Sequence, residues 1–171
     1  MIVVLSVALA IGGCLVVDQD RTILRDHYDP PLSPYNYTSP LSGMRSYITN
    51  SKDDVLLPVE NLPAGSSVRL AVMDRFDGNV WNLSDSTMSS DSSNYRRVGT
   101  SITNNAEGKK FTATFTVDKG LSDYWLPMAG AASSVTFDNS ENSDSFYYNS
   151  DTMSAIYPSR TSEGLTYTET G

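Results

Sequence analysis

KFTATFTV, residues 110–117, decides the fold: Phe111, Ala113, Phe115 and Val117 fall on one side of an extended chain, and Thr112, Thr114 and Thr116 on the other. Successive strand side chains point to opposite faces, so this pattern predicts a β-strand with one face in a core and one in water. Weaker versions recur outward from it. In residues 68–73 (VRLAVM), Val68, Leu70 and Val72 share a face, and Asp77-Gly78 separates that run from NVWNL at 79–83. An Asp-Gly pair tolerates the positive φ of tight turns, which predicts a β-hairpin. Further strands are expected in the apolar run 55–59 (VLLPV) and in 95–102, 124–127 (YWLP) and 134–137 (SVTF). Others are expected at 146–148 (FYY), 154–157 (SAIY) and 165–168 (LTYT), with NSDT at 149–152 as a turn. Strands joined by Gly, Pro, Asn and Ser, without alternating helices, predict an all-β fold: an antiparallel β-sandwich, Ig-like or a related open barrel. One short helix is predicted within 40–51 (PLSGMRSYITNS), where Leu41, Met44, Tyr47 and Ile48 recur at helical spacing.

The expected organisation is an apolar segment at 1–17, a Pro-rich linker with that possible short helix at 18–51, and the β-domain at 52–171. Residues 2–17 (IVVLSVALAIGGCLVV) carry no charge. As a helix they span roughly 24 Å, short of the ~30 Å hydrocarbon core. Four readings stay open: a signal peptide, a lipoprotein signal with Cys14 as the lipid-bearing residue, the outer part of a transmembrane helix that starts upstream, and a buried core helix. Both signal readings want a basic residue before the apolar run, and only Met1 stands there. All but the core helix put the residues after Asp18 outside the cytoplasm, on a domain facing outward from the cell membrane. Residues 18–40 (DQDRTILRDHYDPPLSPYNYTSP) contain four prolines and read as an extended tether.

Composition excludes several chemistries. The 171 residues hold 12 Lys+Arg against 20 Asp+Glu, a formal charge of −8, whereas a nucleic-acid binder needs a basic patch to displace counterions. One cysteine and one histidine allow neither an internal disulfide nor a His/Cys zinc set. A nucleophilic triad would have to recruit His27 from the linker, where it reads as a solvated residue. Cys14, amid apolar neighbours, behaves as a small hydrophobe. A carboxylate pair for glycoside cleavage needs only two acids ~5–10 Å apart, but the acids here fall mostly in polar loops. Residues 138–144 (DNSENSD) alternate oxygen ligands as a calcium loop does, yet Ser143 stands where the sharp turn wants glycine and Asn149 where a bidentate glutamate belongs. That stretch, like the Ser/Asp run 84–94, reads as an exposed polar loop. No catalytic, cofactor-binding or metal residue is therefore expected. Trp81 and Trp125 either pack in a core or interface, or stack on glycans from a shared face.

Residues 73–81 (MDRFDGNVW) resemble the Tyr/Phe-Asp-Gly-x-x-Trp hairpin of TgpA-type transglutaminase-like membrane proteins. Leu24-Arg25-Asp26, Asp29-Pro30-Pro31 and Ser39-Pro40-Leu41-Ser42-Gly43 are similar to the actinobacterial version of the segment after the last amino-terminal membrane helix. Tyr95-Arg96-Arg97-Val98-Gly99, Trp125-Leu126-Pro127 and Phe146-Tyr147-Tyr148-Asn149 are similar to its later strands. The resemblance covers nearly the whole chain from Val16 and rests on order and spacing. It implies membrane helices before this segment and a Cys-His-Asp catalytic domain after it, with a further membrane helix beyond. This chain would then be the outward-facing, non-catalytic domain between them, with that catalytic domain of the same parent as its partner, the membrane reached through residues 2–17, and possible cell-wall or glycan contact. None of the family's catalytic residues maps onto a position here, and the halt at Gly171 just after a strand reads as a domain boundary. Two functions are expected from this: an accessory domain for spacing, docking or substrate presentation without activity of its own, or a self-sufficient membrane-anchored module binding glycan or protein.

Overall fold

The alternating stretch at 110–117 forms an inner strand of a four-stranded antiparallel sheet in the computed structural model, which describes residues 32–37, 39–83, 94–139, 142 and 146–171. In chain order the elements are a 3-10 turn at Pro34–Asn36, helix α1 (Pro40–Thr49), and strands β1 (Val59–Glu60), β2 (Arg75–Phe76), β3 (Trp81–Asn82), β4 (Arg96–Arg97), β5 (Thr112–Thr116), β6 (Trp125–Leu126), β7 (Ser134–Phe137), β8 (Tyr147–Asn149), β9 (Ser154–Ile156) and β10 (Thr166–Thr170). One sheet runs β1-β5-β10-β7, another β4-β8-β9-β6, and β2 pairs only with β3. All pairings are antiparallel.

The central pair shows why alternation governs the fold. Phe115 faces Tyr167 across β5 and β10 with rings stacked 5.1 Å apart, and both are buried. On the opposite face the Thr114 and Thr168 hydroxyls meet at 3.1 Å and those of Thr112 and Thr170 at 3.2 Å. Such cross-strand pairs are the unit of sheet stabilisation. The main core draws Phe115, Val135 and Tyr167 from the first sheet and Leu126, Tyr148 and Ala155 from the second. The expected turn at 149–152 joins β8 to β9, where Asn149 Oδ1 accepts from the Asp151 and Thr152 backbone N–H groups.

Three expectations need correction. The apolar run 55–59 contributes only Val59 to a ladder, because Pro58 has no N–H to give; its carbonyl and that of Leu56 still accept from Thr116 and Asp118. Residues 68–73 form no strand. They pair once, through the reciprocal Arg69 and Met128 backbone bonds of 2.7 and 2.8 Å, and find no further ladder partner among the described residues. The folded unit also starts before residue 52. Leu32 donates its N–H to the Tyr95 carbonyl at 2.9 Å, and Leu32 and Tyr37 pack on a second core of Leu83, Tyr95, Trp125, Tyr147 and Ile156. Proline bars regular strand here without barring side-chain burial.

Helix α1 occupies the expected place, with Pro40 at its first turn. Its apolar side chains divide: Tyr47 packs on the main core, while Leu41, Met44 and Ile48 face solvent. Gly43 makes room for the Tyr47 ring, since a Cβ there would stand 3.2 Å from ring atoms. The apolar segment 2–17, the first part of the linker, Cys14, His27, Ser143 and nearly all of the Ser/Asp run lie outside the described residues. Among the described residues no helix is long and apolar enough to cross a membrane.

Candidate docking surface

The β2–β3 hairpin is built locally from its sequence. Gly78 takes φ +103°, a conformation that suits only glycine, and Asp77 ties the turn down. Its Oδ1 accepts from the Asn79 and Val80 N–H groups at 2.9 Å each, and its Oδ2 from the Asn82 amide at 3.0 Å. The backbone bonds from Val80 and Asn79 are the main reason its carboxyl titrates below the ordinary range. The ordered turn presents Phe76 and Trp81, rings 5.3 Å apart, and Val80, all exposed.

Beside the hairpin lies a groove of about 540 Å³ between α1 and residues 68–73, lined by Leu41, Met44, Val68, Leu70, Met73 and Trp81 among others. Among the described residues Arg69 is the only charged one in the lining, and no carboxylate enters it. The Arg69 guanidinium donates to the Thr152 and Met153 carbonyls, both at 3.3 Å. Tyr47, also in the lining, donates its hydroxyl to Asp123 Oδ2 at 3.0 Å. Burial, followed by the Asp123 charge and that bond, pushes the Tyr47 hydroxyl up to about 12. Asp123 is buried and its Oδ1 also accepts from the Tyr124 N–H at 2.7 Å. Tyr47→Phe therefore leaves a buried carboxylate short of one donor. An expected loss of about 1–2 kcal/mol in urea unfolding follows, with weaker amide protection concentrated in α1.

Trp81 and Trp125 do not share a face. Trp81 is 52% exposed, whereas Trp125 is 1% exposed and meets Tyr95 edge-on at 5.8 Å. A glycan platform made from both tryptophans is thereby ruled out. Asn149 is buried in its own turn, and Asp138 stays exposed at the end of β7. Among the described residues no three His, Cys, Asp or Glu side chains come together as metal ligands. The two acids buried among the described residues are both engaged: Asp123 as above, and Glu169 through the Ala129 and Gly130 N–H groups at 2.7 and 3.0 Å. No described buried side-chain polar atom lacks a partner.

Two features escaped the sequence reading. Glu169 continues the inward face of Tyr167 two residues on, so period two places it inside, but its charge disguised it. The outward face of α1 was legible as apolar, and helical spacing alone does not say whether an apolar stripe is covered.

Residues 38–171 match the family model described as TgpA N-terminal domain, a span that takes in α1 and all ten strands. No curated protein matches the chain, and neither does any solved structure.

Proposed function

Since the chain belongs to the TgpA N-terminal domain family, we propose that it is the non-catalytic accessory domain of a transglutaminase-like membrane protein, a β-sandwich held at the outer face of the cell membrane by residues 2–17. The family match over 38–171 carries this reading, because it takes in the whole β-unit and extends to no Cys-His-Asp set. Bond formation belongs to a separate catalytic domain of the same parent, and this domain spaces it, docks on it or presents substrate to it. The engagement of Asp123 and Glu169 in backbone and tyrosine hydrogen bonds supports a structural role for the buried acids. The alternative, a self-sufficient surface module for glycan or protein, has lost Trp125 and rests on Phe76 and Trp81.

The test is direct. The purified chain, given an amine donor with a glutamine peptide and, separately, general peptide substrates, is expected to turn over none of them, with or without a thiol-blocking reagent. Turnover that a thiol-blocking reagent abolishes would place the enzyme in this chain and refute the reading.

A further inference from the structure

We propose that the tip of the β2–β3 hairpin and the outer face of α1 rest in the headgroup layer of the lipid bilayer, fixing how the domain is oriented over the membrane; this rests on residues 2–17 being the anchor. The exposed apolar surface is concentrated rather than scattered. Of the nine large hydrophobic residues exposed among those described, seven belong to this one region: Leu41, Met44 and Ile48 on α1, Val68 in the groove, and Phe76, Val80 and Trp81 on the hairpin. A patch of that kind marks an interaction site.

Three observations favour lipid as the occupant. First, among the described residues the groove lining holds no carboxylate although the chain carries a net charge of −8, and α1 has Arg45 as its only charged residue. Arginine beside apolar and aromatic groups suits the interface, where the stem lies in the apolar layer and the head reaches phosphate. The acid at the hairpin tip, Asp77, has its oxygens occupied by the turn. Second, the described groove lining is poor in directional donors. Arg69 turns Nη1 to the Thr152 and Met153 carbonyls, the Tyr47 hydroxyl goes to Asp123, and the rest of the lining is aliphatic, thioether or indole. A specific protein interface carries about one hydrogen bond per 100–200 Å²; a bilayer asks for none, and tryptophan and its aromatic neighbours favour the headgroup level. Third, the tether is short. Residues 18–31 span at most about 50 Å when fully extended, so an anchored domain never leaves the neighbourhood of the bilayer. The chain enters the fold at Leu32 and reaches α1 within a few residues, and Pro40, the first residue of that helix, lines the groove.

The protein reports on itself, because Trp125 is buried and Trp81 is the exposed tryptophan. The full chain is reconstituted in phosphatidylcholine vesicles containing phosphatidylcholine brominated near the top of the acyl chain. The expected result is loss of the Trp81 emission to brominated lipid and its protection from iodide in the water. Trp81→Phe removes the quenched component, and Leu41→Glu with Met44→Glu returns Trp81 to iodide while the Trp125 emission stays unchanged. Trp81 open to iodide and untouched by brominated lipid would overturn the inference while leaving the anchor intact. Shielding from both quenchers would overturn it too, in favour of a protein or a second copy on this face. A chain that does not float with the vesicles overturns the anchor itself, and the inference with it.

Discussion

Trp125→Ala is expected to destabilise the protein by about 3–5 kcal/mol, and Trp81→Ala by less than about 1 kcal/mol. The two residues have the same chemistry and both sit in two-residue strands, so the difference comes from burial alone. Trp125 lies at the centre of the second core, edge-on to Tyr95 and packed with Tyr147 and Ile156. Truncation there removes a large apolar ring and leaves a cavity that the short flanking strands cannot collapse into. Leu32 and Tyr37 pack against the same cluster, so their hold on the amino-terminal part of the fold should loosen with it. Trp81 is half exposed at the rim of the groove with Phe76 as its ring partner, so its removal forfeits far less burial and leaves no enclosed cavity. Urea midpoints of the two variants check the contrast; equal losses would mean that the hairpin packs on the body.

The second large effect lies at Glu169. Its carboxylate is fully buried on the inner face of β10, level with Ala113 on β5 and Val135 on β7. It accepts from Ala129 and Gly130 and so ties the loop after β6 to the central strand of the other sheet. Glu169→Leu leaves both N–H groups without that acceptor, an expected loss of about 3 kcal/mol. Glu169→Gln keeps the shape and one acceptor, and is expected to lose about 1–2 kcal/mol at neutral pH. The pH dependence separates charge from geometry. Burial, partly offset by the two backbone bonds and by Arg69, raises the Glu169 carboxyl above its ordinary value of 4.5. The folded state then binds the proton more tightly than the unfolded chain, so the cost of the buried charge is relieved as pH falls through the folded value. Wild type should therefore gain stability relative to Glu169→Gln between neutral pH and about 4.5. A constant difference across that range would show that the carboxyl is not shifted upward.

Local features were legible in the sequence and tertiary ones were not. KFTATFTV announced a one-sided strand because its two faces differ in kind, and Phe76-Asp77-Gly78 announced a turn because one carboxylate and one glycine suffice to build it. Residues 68–73 alternate as a strand should, yet strand formation needs a neighbour, and that neighbour is supplied by the fold rather than by the segment. The prolines suggested an extended tether, yet Pro34 opens a 3-10 turn and Pro40 opens α1, and the same prolines hid the packing of Leu32 and Tyr37, which requires no ladder. The candidate face divides in the same way. Its hairpin could be read from the residues, whereas the exposure of Leu41, Met44 and Ile48 depends on which side of α1 the rest of the molecule leaves open.

As the proposed accessory domain of a larger membrane protein whose chemistry lies elsewhere, this chain is best sought by a blot of native membrane and soluble fractions with an antibody against residues 32–171. The prediction is a membrane band far heavier than the 18.7 kDa of this chain. A band near 18.7 kDa in the soluble fraction, with no heavier species in the membrane, would contradict it.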